Sequence, residues 1–509
     1  MASATKSSCR LRRMMVTTLG LGLTVASFAY VQAQPVFGTQ TRIGYPAGDD
    51  WEPALAADRY GHLYVVYYHT DVKGQAGCTG CSLHLLIQRS SDGGVTWSDP
   101  VPIAPGPVNG GQFDPWLVVD PSDGRTLWFS FMQGFPQSQI ELVKSTDFGV
   151  TWSAPTVVSG SLNKLDKDVL AVGGGTLAAF FDDYYTLYAS LSTDGGLNWT
   201  LHSLFTFHNA PKQLLCSGAG IDSLGKLFSA WDVYDSTSAT PCKLWLEKSS
   251  DGGQTWIEQD IDVGGDPYPC SQCGAGAYLA PQITLRIGSD DTIYLLWNTT
   301  TNLASGAPER IFFSKSTDHG QTFSPRQDVS SAPAGTEHCF PCLAVGAGSG
   351  DVRIAWMDNR TGVWNGFYRA STNGGATFSG ETRLSGYVPG YSYLTNQGFQ
   401  FPYGDYFQLA VDRCGGTHAA FGETSAYSSP GNIWIANEQP TWHLAVSYQA
   451  GGAKLTWPAS FASAGLQFAT SPTGPWGAYP TRPSLTNNQW TVVEPLTSNP
   501  ARFFRLRCP

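Results

Sequence analysis

The chain of 509 residues predicts an all-β protein: a β-propeller of seven blades, with six as the alternative, followed by a small β-sandwich. Three observations predict it. The composition is rich in aromatic residues (13%) and glycine and poor in charge (14%), which suits strands and turns rather than helices. One turn motif recurs six times. Around each copy lie four short apolar runs, at the period of about fifty residues that marks a propeller blade.

The elements follow in chain order. Lys6, Arg10, Arg12 and Arg13 precede the apolar stretch VTTLGLGLTVASFAYV and the small residues of Val31-Gln32-Ala33. This is the pattern of a cleaved export signal over residues 1–33. Its loss would remove four positive charges and take the net charge from −10 to about −14. An acidic exported chain is a poor nucleic-acid binder, because that affinity comes from neutralising phosphates. No later segment is apolar enough to span a membrane. The mature protein is expected to be secreted and monomeric.

The propeller is expected over residues 34–440. The turn reads SSDGGVTWS from Ser90, STDFGVTWS from Ser145, STDGGLNWT from Ser192, SSDGGQTWI from Ser249, STDHGQTFS from Ser316 and STNGGATFS from Ser371. Its aspartate can accept backbone N–H bonds across the turn. Its glycine allows a positive φ. Its Trp or Phe buries a large apolar surface. A seventh unit, DYFQLAVD, THAAFGE and NIWIAN, supplies three strands without a recognisable turn. The early segment FGTQTRIGY is similar to FSGETRLSGY at Phe378. It is therefore expected to supply the missing fourth strand and close the ring. Residues 441–509 alternate apolar and polar positions in short strands.

The motif and its spacing resemble the Asp-box, or BNR repeat, of the sialidase-like propeller superfamily, across most of residues 35–440. The C-terminal segment resembles a fibronectin-III-like module. The resemblance implies that Asp92, Asp147, Asp194, Asp251 and Asp318 are turn residues on the face away from the active site. It also implies a secreted glycoside hydrolase acting on sialoglycans, or a non-catalytic propeller that binds carbohydrate or glycoprotein. The family uses three arginines to clamp a substrate carboxylate, a Tyr/Glu nucleophile pair and an aspartic acid/base. Matched onto the loops of the opposite face, the candidates are Tyr406 with Glu423, and Asp49 or Asp50 as the acid. Arg42, Arg310 and Arg360 are the clamp candidates, with Asp358 and Asp405 as further binding residues. Paired carboxyls suit acid/base work at a glycosidic bond, and guanidinium–carboxylate pairing suits the clamp. No cofactor or metal is implied.

Ten cysteines follow the leader. Three CxxC pairs (78–81, 270–273 and 339–342) and the pair Cys216/Cys242 map to the ligand face. In an exported protein these read as disulfide staples, with Cys414–Cys508 as a fifth. A thiolate metal site near His338 and a redox dithiol are the alternatives.

Overall fold

A computed structural model describes residues 34–507, apart from 46–48, 71–83, 105–109, 208–212, 235–241, 265–280, 301–307, 363, 386–405, 424–431, 440–443, 450, 460–464 and 496–501. The leader, Asp405 and the cysteine pairs 78–81 and 270–273 lie outside the described residues.

Between Gln34 and Gln439 the described residues form seven four-stranded antiparallel sheets, six of them running in chain order from the first strand. The first strands are Asp49–Ala57, Gln112–Val119, Asp166–Gly173, Gln213–Ile221, Ile283–Ile287, His338–Val345 and Phe407–Val411. Each contacts the next, and the last contacts the first, so they line a closed central ring. The seventh sheet is completed by Thr41–Arg42, which pairs Thr41 with Ile435 and Arg42 with Trp434. Ring closure by the N-terminal segment thus agrees with the sequence. The two similar segments are neighbours: Gln34 donates to the Glu381 carbonyl and Thr382 to that of Pro35.

The inner strands are buried on both faces, as in Thr186–Ser192 and Ile293–Thr300, so each blade packs against both of its neighbours. Trp231, Trp245, Trp297 and Trp356 are fully buried. Burying one such ring contributes roughly 2–3 kcal/mol. The Asp-boxes repeat one hydrogen-bond set. In the first, Asp92 Oδ1 accepts from Ser90 (2.8 Å) and Thr96 N (2.9 Å), and Oδ2 accepts from the Thr96 hydroxyl (2.6 Å). In the sixth, Asn373 Oδ1 takes the Thr377 N–H (3.0 Å), while its amide donates to the Thr377 hydroxyl (2.8 Å). These aspartates are turn residues by geometry.

The C-terminal segment forms a four-stranded and a three-stranded sheet. Leu455, Trp457 and Val492 of one meet Leu466, Phe504 and Leu506 of the other.

Candidate active site at a ring of bulges

Five of the seven first strands break register near their start: between Trp51 and Ala54, Phe113 and Trp116, Asp166 and Val169, Cys216 and Gly218, and Cys339 and Cys342. A bulge leaves a residue outside the ladder and re-aims its side chain. It also tolerates proline, which has no N–H to donate, as in Glu52-Pro53, Asp114-Pro115 and Phe340-Pro341. Four bulged residues have left-handed backbones: Glu52 (φ 55°), Asp114 (52°), Lys167 (46°) and Phe340 (52°). For non-glycine residues this costs about 1–3 kcal/mol each.

Three of these bulged side chains converge with Tyr406 from the seventh blade. The Tyr406 hydroxyl donates to Asp114 Oδ1 at 2.7 Å. Lys167 Nζ donates to the same oxygen at 2.9 Å and lies 3.3 Å from the Tyr406 hydroxyl. Glu52 Oε2 accepts the Asp114 N–H at 3.3 Å. Glu52, Asp114 and Lys167 are buried and Tyr406 is half-buried. A small cavity beside them is lined by Trp116, Lys167, Arg286, Gln282 and Tyr406, with Cys216 and Cys342.

An acid pair flanks the cluster. Asp166 and Asp182 face each other across one rung. Burial, then the charge of Asp166, holds the Asp182 carboxyl well above the usual carboxylate range. Tyr184 hydrogen-bonds Asp166 and feels Asp182 and Asp114 as well. Tyr184 and its exposed neighbour Tyr185 stand on the rim. Asp168, buried against the Ser130 hydroxyl, is also pushed up, by burial and then by the Asp114 charge.

The other expected site residues fall in separate places. Asp50 is fully buried, 2.6 Å from His69 Nδ1, and burial raises its carboxyl to about 6. The charge of Arg42 reaches Asp50, and its guanidinium donates to the Tyr45 carbonyl at 3.0 Å. Arg310 binds Asp328 (3.0 Å) and the carbonyls of Ser330 and Ala332. Arg360 binds both oxygens of Asp358 (2.6–3.1 Å) and Glu381, and stacks on Phe367. Arg310, Asp358 and Arg360 therefore gather around His338, whose imidazole burial drives down to about 4. Arg42 belongs to the seventh sheet, apart from them. The side chains of Asp49 and Glu423 lie outside the described residues.

Cys414 is disulfide-bonded, whereas the staples expected at Cys216 and at Cys339–Cys342 need correcting. Cys216, Cys339 and Cys342 are free and buried. The bulge gives Cys339 and Cys342 the places of an i, i+2 pair, roughly 7 Å apart, at the far limit of disulfide reach. Burial pushes the Cys342 thiol up to about 12 and holds that of Cys339 well above its ordinary value.

Lys167 is the residue that sequence reasoning missed. Its signal was available: aligned on the repeat, Lys167 takes the slot of Glu52 and Asp114.

A family model described as a BNR repeat-like domain matches residues 35–259. A sialidase of Bacteroides fragilis (strain YCH46) is 25% identical over 344 residues, 59% of each chain. A xyloglucanase of a Paenibacillus species is 28% identical over 211 residues, 36% of this chain and 19% of that one. The chain thus spans less than two thirds of the length of either relative. A solved microbial sialidase aligns over 77% of this chain and 66% of its own, at 15% identity and a TM-score of 0.41, too low to bear on function. The boxes at Ser90, Ser145, Ser192 and Ser249 fall inside the matched family stretch, and with the closed ring of four-stranded sheets they support a sialidase-like propeller of the BNR-repeat type.

Proposed function

We propose that the protein processes glycans by cleaving a glycosidic bond at the mouth of the central ring, with Tyr406 as nucleophile. One observation carries the reading: the Tyr406 hydroxyl donates to Asp114 while Lys167 reaches both. A phenol is a weak nucleophile until a base takes its proton. Asp114 is that base, and the ammonium of Lys167 offsets the charge that develops on the phenolate oxygen. The Asp166/Asp182 pair holds the proton we assign to the leaving oxygen: burial and the Asp166 charge favour keeping it on Asp182, and Asp166 across the rung passes it on. Tyr184 and Tyr185 offer faces and hydroxyls to the sugar. The sialidase and xyloglucanase likenesses support a glycan as substrate, and sialosides are the first class to test. The export-signal pattern supports action outside the cytoplasm.

One observation favours a second reading, binding without cleavage. Arg310 and Arg360 are held in ion pairs within the fold, so a three-arginine clamp from the expected residues is not assembled.

The test is fluorophore release from an α-sialoside and a panel of other glycosides by the full chain, by Tyr406→Phe and by Lys167→Met. Cleavage reduced at least about 100-fold in Tyr406→Phe is expected. Wild-type turnover unchanged in that variant would overturn the nucleophile. No turnover on any glycoside, with glycan binding retained in both variants, would leave the binding reading.

A further inference from the structure

The hairpin between the first two strands of a blade and its Asp-box share one end of the sheet, opposite the bulges. On that end, between the first and second blades, lies a cluster that the site above does not use.

Four of the six boxes place glycine after the box residue, all with positive φ (Gly93, Gly195, Gly252, Gly374). The fifth has His319 and the second has Phe148, with φ of 57° and 63°. His319 is explained by a 2.7 Å contact to Asp222 of the preceding blade. Phe148 makes no such polar bond. Its ring packs on Tyr60 (5.4 Å between centroids) and His62 (4.7 Å), and the Arg125 guanidinium lies 4.8 Å from its centre. Arg59 lies 5.6 Å from the centre of Tyr60. Its stem passes so close to Gly124 that a Cβ there would stand 2.4 Å from it. Arg89 donates to the Phe148 carbonyl at 3.4 Å. Beside them runs a groove lined by His62, Arg89, Thr96, Trp97, Phe148 and Val150.

Arg59, Arg89 and Arg125 form no ion pair among the described residues, whereas Arg310, Arg326, Arg353, Arg360 and Arg502 do. The nearby carboxylates are already engaged. Asp123 accepts from Arg125 N and Thr126, and Asp147 from Ser145 and Thr151. Three arginines here are positioned by aromatic rings and a glycine, and the Arg59 charge reaches Asp123. Ring faces suit pyranose rings, and guanidinium groups suit carboxylate or sulfate.

We propose that the cluster of Arg59, Arg89, Arg125, Tyr60 and Phe148 is a binding surface for an acidic polysaccharide, separate from the candidate active site. It would hold a charged glycan chain to the face opposite the bulges, whatever bond that site cleaves.

The test is affinity electrophoresis of the full chain in gels containing polygalacturonate, dextran sulfate or neutral dextran. Retardation by one or both acidic polymers, and none by neutral dextran, is expected, and the polymer that retards identifies carboxylate or sulfate as the anion. The double variant Arg59→Ala/Arg125→Ala should bind at least about fivefold more weakly, with the wild-type interaction weakening as salt rises. Phe148→Gly restores the residue of four other boxes, so folding is protected, and it should also weaken binding. The pair Arg383→Ala/Arg482→Ala removes the same charge elsewhere and should bind as the wild type does. No retardation of the wild type, retardation unchanged in the first double variant, or equal loss in the second, would overturn the proposal.

Discussion

Replacing Glu337 with glutamine should change how stability depends on pH. Glu337 is 2% exposed. Its Oε1 accepts the Glu309 N–H at 3.0 Å, and its Oε2 has no hydrogen-bond partner among the described residues. Burial raises its carboxyl from 4.5 to about 7. The adjacent Glu309 is also held high, by burial and then by the Glu337 charge. An acid with a raised folded pKa keeps its proton in the native chain after the unfolded chain has lost it. The native state then binds more protons, and stability falls as pH rises from about 4.5 to about 7. A shift of this size corresponds to about 3 kcal/mol. Glutamine keeps the acceptor for Glu309 and cannot ionise. The stability of Glu337→Gln relative to wild type should therefore rise by up to about 3 kcal/mol between pH 5 and pH 8. Guanidinium unfolding followed by tryptophan fluorescence at four pH values measures it. A difference that stays flat, or falls with pH, would refute the reasoning, because distant raised acids such as Asp50 are common to both proteins and cancel, while Glu309, relieved of the Glu337 charge in the variant, shifts in the same direction.

Three further outcomes are expected. Thr255, through its hydroxyl and its N–H, lowers the Asp251 carboxyl from 3.8 to about 2, so its contribution is present above about pH 4 and lost towards pH 2. Asp251→Asn should lower the melting temperature at pH 6, with the gap closing near pH 2. Cys216, Cys339 and Cys342 should resist a thiol reagent in the native chain and react once guanidinium unfolds it; native labelling at the denatured rate would contradict their burial. Ile43 is buried and its N–H bonds the Ile433 carbonyl at 2.9 Å where the ring closes. Ile43→Asp should cost about 3 kcal/mol or more by burying an unpaired charge, read by the denaturation midpoint.

The blades were legible because they rest on local chemistry that repeats. The Ser/Thr-x-Asp turn sets its own hydrogen bonds, and the strand before it alternates. Closure was legible because TRIGY resembles TRLSGY, and both serve as fourth strands. The site was not legible in the same way. Glu52-Pro53 and Asp114-Pro115 sit where a strand pattern continues, and nothing in one sequence announces a left-handed glutamate before proline. Lys167 was hidden between two aspartates that each drew attention as turn formers. Arg310 and Arg360 were judged by their place in the chain, but Asp328, Asp358 and Glu381, which hold them, come from elsewhere on their blades. The CxxC at Cys339 read as a staple because spacing alone cannot show the bulge that sets those two residues opposite Met357 and Ala355, two positions apart on the partner strand.

The two ends of the strands do different work, and strain marks the difference. At the Asp-box end, left-handed positions are filled mostly by glycine, which accepts them without cost, and the turn aspartates are saturated by their own loops. At the other end, left-handed positions are filled by Glu52, Asp114, Lys167 and Phe340, where a regular first strand would have kept every ladder bond. Among the described residues, Ile283–Ile287 and Phe407–Val411 keep unbroken register. The bulges therefore cost stability that the blade cores supply, and what they gain is placement. They carry a glutamate, an aspartate and a lysine from three consecutive blades onto one tyrosine from the blade that closes the ring. Strain concentrated where charged groups meet, and mostly relieved by glycine in the Asp-box turns, is what a site held against the preference of its own backbone looks like.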